Sequence, residues 1–397
     1  MKRIIGTIAV GLISLGLIGC SEADRPKTQK ELARQQWNDA RVGVLGGLAL
    51  DQYKNGDLEK ARATVDEALA LSPNNVQLRL LSAKLFMEQG NLDAAGKQLA
   101  EAQKTDPKNA EADYLTGVVY QRWQQPEKAL AAYDAAYQKD GNEVSYVMAK
   151  GEMLVQLNRE DEALTLLQSR LSYFEHSAAI RDAVGQLLIM KKDFAKASIT
   201  LREASILAPD DNTIREHQAF AFYYSKNYIE AAEQFRQLLK NDNYSQRADV
   251  MAAMGECQHQ LGNLREARED LETAAALDVH ASGYWFSLAR LNCDMGDFAR
   301  AEVAIRRGLA VEPGSSDGYC LLGYARLKQD KLPAALSAFE KASSIDDHNT
   351  TSLCMQGYVL QKMNRPKEAM EYYSRALRVS PSDELAGRLM TSIGEGE

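Results

Sequence analysis

The sequence predicts an all-α solenoid of about ten helix-turn-helix repeats, closed by a C-terminal capping helix. Three observations lead there. Short Gly-Asn-Leu, Gly-Asp-Leu and Gly-Asp-Phe turns recur at Gly56, Gly90, Gly262 and Gly296. An alanine follows each of these glycines at the same interval: Ala61, Ala95, Ala267 and Ala301. The composition is rich in Ala and Leu with only nine Pro, which favours helix over sheet. A chain of 397 residues would ordinarily divide into separately cored domains. A repeat array escapes that limit because each unit packs only on its neighbours.

The first element is a leader. Met1-Lys2-Arg3 is positively charged, and residues 4–19 are apolar apart from Thr7 and Ser14. Leu17-Ile18-Gly19-Cys20 follows, and Ser21-Glu22-Ala23-Asp24 turns abruptly polar. The apolar run is short for a membrane span and has the flanks of a secretory signal, so residues 1–19 read as a cleaved leader. Its Leu-Ile-Gly-Cys end resembles the lipobox of bacterial lipoproteins. That resemblance implies acylation of Cys20 and anchoring in a cell-envelope membrane with the body facing the periplasm, since two or three acyl chains give stable attachment. Ser21, rather than Asp, follows the cysteine. Under the enterobacterial sorting rule this is compatible with the outer membrane. An ordinary secretory signal with a coincidental cysteine is the alternative. Residues 20–41 read as the lipidated cysteine and a polar tether leading into a first helix.

From Val42 onward a 34-residue register holds. Its twentieth position is Ala61, Ala95, Ala129, Ala163, Ala197 and Ala231, then, after a two-residue slip, Ala267, Ala301, Ala335 and Ala369. The eighth position is always Ala or Gly, so two helix backbones can approach closely there. The twenty-seventh is small in every unit except at Arg170 and Leu238. The twenty-fourth is large and apolar, from Val65 and Leu99 to Phe339 and Tyr373. Two small contact points and one bulky knob describe an antiparallel helix pair that stacks on its copies. Pro126, Pro333 and Pro366 open second helices, where a missing N–H costs nothing.

This pattern resembles the tetratricopeptide repeat (TPR), with Trp285, Leu288, Ala289, Ala301 and Pro313 at that family's signature positions in one unit. The resemblance spans ten repeats over 42–383: 42–75, 76–109, 110–143, 144–177, 178–211, 212–245, 248–281, 282–315, 316–349 and 350–383. Residues 384–397 form the capping helix and tail. The resemblance implies a right-handed superhelix whose first helices line a concave groove. The extra two residues lie in the 241–247 region. They read either as a longer surface loop or as a change of pitch dividing the groove.

Chemistry is sparse. The sequence contains no Gly-x-Ser-x-Gly, no phosphate-binding Gly-x-x-x-x-Gly-Lys, no His-Glu-x-x-His and no Cys-x-x-Cys. The five His are scattered over different repeats without metal-site spacing. The expectation is therefore no enzymatic activity, no cofactor and no metal. A net charge of −8 argues against nucleic acid as a partner. Cys257, Cys293, Cys320 and Cys354 read as buried small hydrophobes, with a disulfide left open by an oxidising periplasm.

At the groove positions that the family resemblance supplies, the residues for clamping an acidic C-terminus are missing. Instead the middle units carry Glu152, Asp182, Glu216, Asp249 and Glu256 without a basic residue among them. Phe220, Tyr223, Tyr224, Phe286, Tyr324 and Tyr358 supply aromatics. An acidic stripe beside aromatic anchors suits a basic or aromatic-rich segment of a partner protein. The alternative is that these acids are a solvated face and the tyrosines pack on the next helix. The functional expectation is a membrane-anchored periplasmic scaffold for an envelope machine, architecturally similar to the repeat lipoproteins of type IV pilus biogenesis. A polysaccharide-export accessory whose groove contacts glycan is the rival reading.

Overall fold

The computed structural model describes residues 28–394. Cys20, the expected lipidation residue, and the expected leader lie outside the described residues. Within them the chain forms 21 helices and no strand. Two compact units divide after Arg159. The first ends with α7 (Val144–Gln156) and the second begins with α8 (Glu160–Arg170), so the division falls inside the 144–177 repeat.

The first unit opens with α1 (Gln29–Lys54), α2 (Leu58–Leu71), α3 (Val76–Glu88), α4 (Leu92–Thr105), α5 (Ala110–Arg122) and α6 (Pro126–Lys139). Helix α1 starts well before Val42, within the stretch read as tether. Thr28 and Glu31 form a capping box there, each satisfying a backbone N–H of the other.

The second unit continues from α8 with α9 (Ala178–Met190), α10 (Phe194–Leu207), α11 (Asn212–Tyr224) and α12 (Tyr228–Leu238). Next come α13 (Ala248–Gln260), α14 (Leu264–Leu277), α15 (Ser282–Asp294) and α16 (Phe298–Val311). The last are α17 (Ser316–Lys328), α18 (Leu332–Ile345), α19 (Thr350–Lys362), α20 (Pro366–Val379) and α21 (Glu384–Gly394). Helix α21 packs on α19 and α20 and covers their apolar surface with Ala386 and Leu389.

Local chemistry sets the helix ends. Asn75, Asn109, Ser177, Asp211, Ser315 and Asn349 each accept a backbone N–H at the start of a first helix. Each first helix stops at one residue of the turn with a left-handed backbone. In four repeats it is glycine: Gly56, Gly90, Gly262 and Gly296. In the other six a side chain is forced into that conformation: Gln124, Asn158, Lys192, Lys226, Asp330 and Asn364. A non-glycine residue there costs about 1–2 kcal/mol, while glycine loses about 0.5–1 kcal/mol more chain entropy on folding. Lys226→Gly, at φ 64°, should therefore stabilise the second unit by about 0.5–1 kcal/mol. A lower urea midpoint for that variant would contradict this.

The core repeats one contact. The knob of each second helix lies over the small residue of its partner first helix. Tyr133 faces Gly117, Phe339 faces Gly323 and Tyr373 faces Gly357, all three rings buried.

Second helices end by donating a backbone N–H to the small twenty-seventh residue, as Ser72 does to Ala68 and Glu312 to Gly308. Where that residue is Arg170 or Leu238, the helix itself ends there and a longer turn follows.

Candidate interaction groove

In the second unit the first helices touch one another in sequence, α9 with α11, α11 with α13, and on to α17 with α19. They thus form one continuous inner face, and the residues expected to bind a partner can be located on it.

Part of the acidic stripe is paired from within. Arg247, in the extended turn between α12 and α13, donates to Glu216 at 2.7 Å and, through two nitrogens, to Asp249 at 2.6 and 2.8 Å. It also sits 5.6 Å from the ring of Tyr244 in the same turn. The hydrogen bond from Arg247 holds the Asp249 carboxyl below its usual range. The added residues therefore deliver a cation to the inner face, which corrects the expectation that Glu216 and Asp249 stand free. Beside them, His217 Nδ1 lies 2.7 Å from Asp182 Oδ1. Burial opposes a charged imidazole, but the hydrogen bond and charge of Asp182, with Glu216 and Asp211 nearby, outweigh it and raise the His217 pKa. Glu256 accepts from Gln260 at 2.9 Å.

The aromatics divide by environment. Phe220 is half-buried, edge-on to Phe235 at 5.1 Å. Tyr223 is half-buried too, and burial, with the Glu256 charge, pushes its hydroxyl up to about 12. Tyr224 is 45% exposed and stacks on Phe194 at 5.1 Å. Tyr324 is 38% exposed, edge-on to Phe298, and Tyr358 is half-buried beneath Lys362.

Phe286 is only 9% exposed and belongs to the core. The space for its ring comes from Gly308 and Gly318, where an added Cβ would sit 2.6 and 2.8 Å from ring carbons. It is a floor, not the projecting anchor that its repeat position suggested.

That floor underlies a cleft of about 560 Å³ shared by α15, α17 and α19. Phe286, Leu321, Phe339 and Met355 give it an apolar base, while Arg290, Asp317 and Tyr324 stand among its lining. Arg290 is exposed, with a 3.0 Å hydrogen bond to Ser287 and no salt bridge among the described residues. The arrangement suits a segment that inserts an apolar side chain and carries charges beside it. A purely basic segment fits less well, because Asp182, Glu216 and Asp249 already pair with His217 or Arg247.

Cys320 also lines this cleft and is half-buried, whereas Cys257, Cys293 and Cys354 are buried. All four are free thiols. Burial raises them, to about 11 for Cys320, Cys293 and Cys354 and about 12 for Cys257. With so little thiolate at neutral pH, native labelling by maleimide should be slow and reach Cys320 first. Equal rates at Cys257 and Cys320 would contradict the packing described.

Models described as tetratricopeptide repeat match residues 52–117, 114–172, 218–281, 286–349 and 350–383. The chain belongs to the tetratricopeptide repeat family. A TPR repeat-containing protein of Methanocaldococcus jannaschii is 22% identical over 367 residues, covering 85% of this chain and 63% of that protein. Human protein O-mannosyl-transferase TMTC1 is 24% identical over 214 residues, 53% of this chain but 24% of that protein. The chain thus spans less than two thirds of either relative's length. The solved C-terminal part of a TPR repeat-containing protein from Cytophaga hutchinsonii is 16% identical and covers 60% of this chain and 98% of that one, with a TM-score of 0.50. The matched models describe repeats, a framework that suits a protein-interaction scaffold.

Proposed function

We propose that this TPR protein is anchored by lipid at Cys20 and faces the periplasm. There it holds a protein partner on the inner face of its second unit while an envelope machine, such as a type IV pilus or secretion system, assembles. The cleft between α15, α17 and α19 carries the reading. It combines a recessed apolar floor with an exposed arginine and tyrosine at the surface, the mixture on which interface energy concentrates. The Leu-Ile-Gly-Cys sequence ending at Cys20 supports the anchor.

The two parts are tested separately. Cys20→Ser should abolish labelling by radioactive palmitate and release the protein from membranes; retained label would remove the anchor. Tyr324→Ala with Arg290→Glu should leave the protein membrane-bound and folded but lower recovery of its co-isolated partner at least tenfold. Unchanged recovery would place the partner elsewhere.

A further inference from the structure

We infer that a second cleft, between α14 and α16, docks a segment of a partner protein that presents a tyrosine flanked by acidic residues. The cleft has about 580 Å³, is walled by α14 and α16 over Trp285, Leu288 and Asn292 of α15, and shares no lining residue with the inner-face cleft.

Its origin is legible in the repeat. The eleventh position of a unit is large and apolar in six cases: Phe86, Tyr120, Leu154, Leu188, Phe222 and Leu360. Three polar residues at that position are bonded: Gln52 to Thr64, Gln258 to Asn263 and Arg326 to Glu302. The tenth is Asn292, shorter than all of these. It lines the cleft, is only 2% exposed, and its Oδ1 has no hydrogen-bond partner among the described residues. A buried carbonyl oxygen without a donor is costly, and a ligand hydroxyl that meets it as the Asn292 amide turns toward the cleft would recover that loss. A tyrosine supplies both the ring that other repeats place in this seam and the O–H donor.

The walls set the flanking charge. Arg300, Val303, Ala304 and Arg307 form one stripe of α16. Arg307 lies 4.8 Å from the Trp285 ring centroid and makes no salt bridge among the described residues. Arg300 pairs only with Asp297, three residues before it, at 3.4 Å. Glu272, on α14, is the one acidic residue of the lining. The two guanidinium-bearing residues are about 10 Å apart along the helix, a span that carboxylates on either side of a tyrosine in an extended segment cover.

The probe is a fluorescein-labelled Gly-Asp-Glu-Tyr-Glu-Asp-Gly peptide, titrated by anisotropy against the purified full chain. Binding should weaken at least tenfold when the peptide tyrosine becomes alanine. Asn292→Leu, which copies Leu360, should weaken it equally while raising the thermal midpoint. Arg307→Glu should weaken it at least tenfold and transfer preference to a Lys-flanked peptide. Arg290→Glu, in the other cleft, should leave it unchanged. The inference is overturned by no measurable binding, by equal affinity for the Lys-flanked peptide, or by affinity within twofold for Asn292→Leu and Arg307→Glu.

Discussion

Replacing Glu302 with glutamine should destabilise the second unit by on the order of 3 kcal/mol. Glu302 is 8% exposed on α16 and accepts from Arg306 at 2.8 Å, Arg326 at 3.1 Å and Lys331 at 3.3 Å. Arg306 and Lys331 are largely solvated, so their pairs contribute little. Arg326, on α17, is mostly buried, and the substitution leaves its guanidinium without a counter-charge. Burial would raise the Glu302 carboxyl, but the hydrogen bonds from Arg306, Arg326 and Lys331 win and hold it at about 2. An unfolded glutamate titrates near 4.3, roughly. The folded value is therefore the lower one. The stabilisation is fully present above about pH 4.3 and is lost as pH falls towards 2. Urea unfolding of wild type and Glu302→Gln should differ most at neutral pH and converge near pH 2. A gap under 0.5 kcal/mol at pH 7, or one that grows on acidification, would contradict this network.

Gly357→Val should cost a similar amount by the opposite route, overpacking. A Cβ at Gly357 would sit 2.4 Å from Tyr373 Cε1, and that ring is wholly buried. Overpacking of this kind costs about 1–3 kcal/mol. Alanine recovers about 1 kcal/mol through helix propensity, so Gly357→Ala should lose up to about 2 kcal/mol net. Valine recovers less, and its two extra methyls also need space, giving about 3 kcal/mol. Gly47→Ala is the control, since its Cβ would meet nothing within 4 Å; it should gain about 0.5–1 kcal/mol. Pairing Gly357→Ala with Tyr373→Leu reproduces the Ala83–Leu99 combination and should restore most of the loss. Equal behaviour of Gly357→Ala and Gly47→Ala in thermal melts would refute the ring-over-glycine contact.

The framework was legible because repetition exposes it. Small residues at the eighth and twentieth positions and a knob at the twenty-fourth recur often enough to stand out from composition. The glycine turns showed only four of ten left-handed residues, since Lys192 and Lys226 carry no local mark of the strain they bear. Arg170 and Leu238 broke the twenty-seventh-position pattern in the sequence, and they are where α8 and α12 stop.

The candidate site was harder to read. Phe286 has a groove register, but its burial depends on Gly308, in its own unit, and on Gly318, in the next one. Arg247 lies in the added turn, outside the register, so the Glu216 and Asp249 carboxylates looked unpaired. In both cases a contact between neighbouring units decides the environment, and a position-by-position reading of one repeat does not contain it.

In-cell photo-cross-linking asks whether a partner protein occupies the inner face of the second unit. A benzophenone side chain would replace Tyr324, Tyr224 or, as the outward control, Ile206, which is exposed on α10. A partner seated there should give one discrete protein adduct from Tyr324, a weaker one of the same mass from Tyr224, and none from Ile206. Adducts from Ile206 alone, with Tyr324 silent, would contradict it.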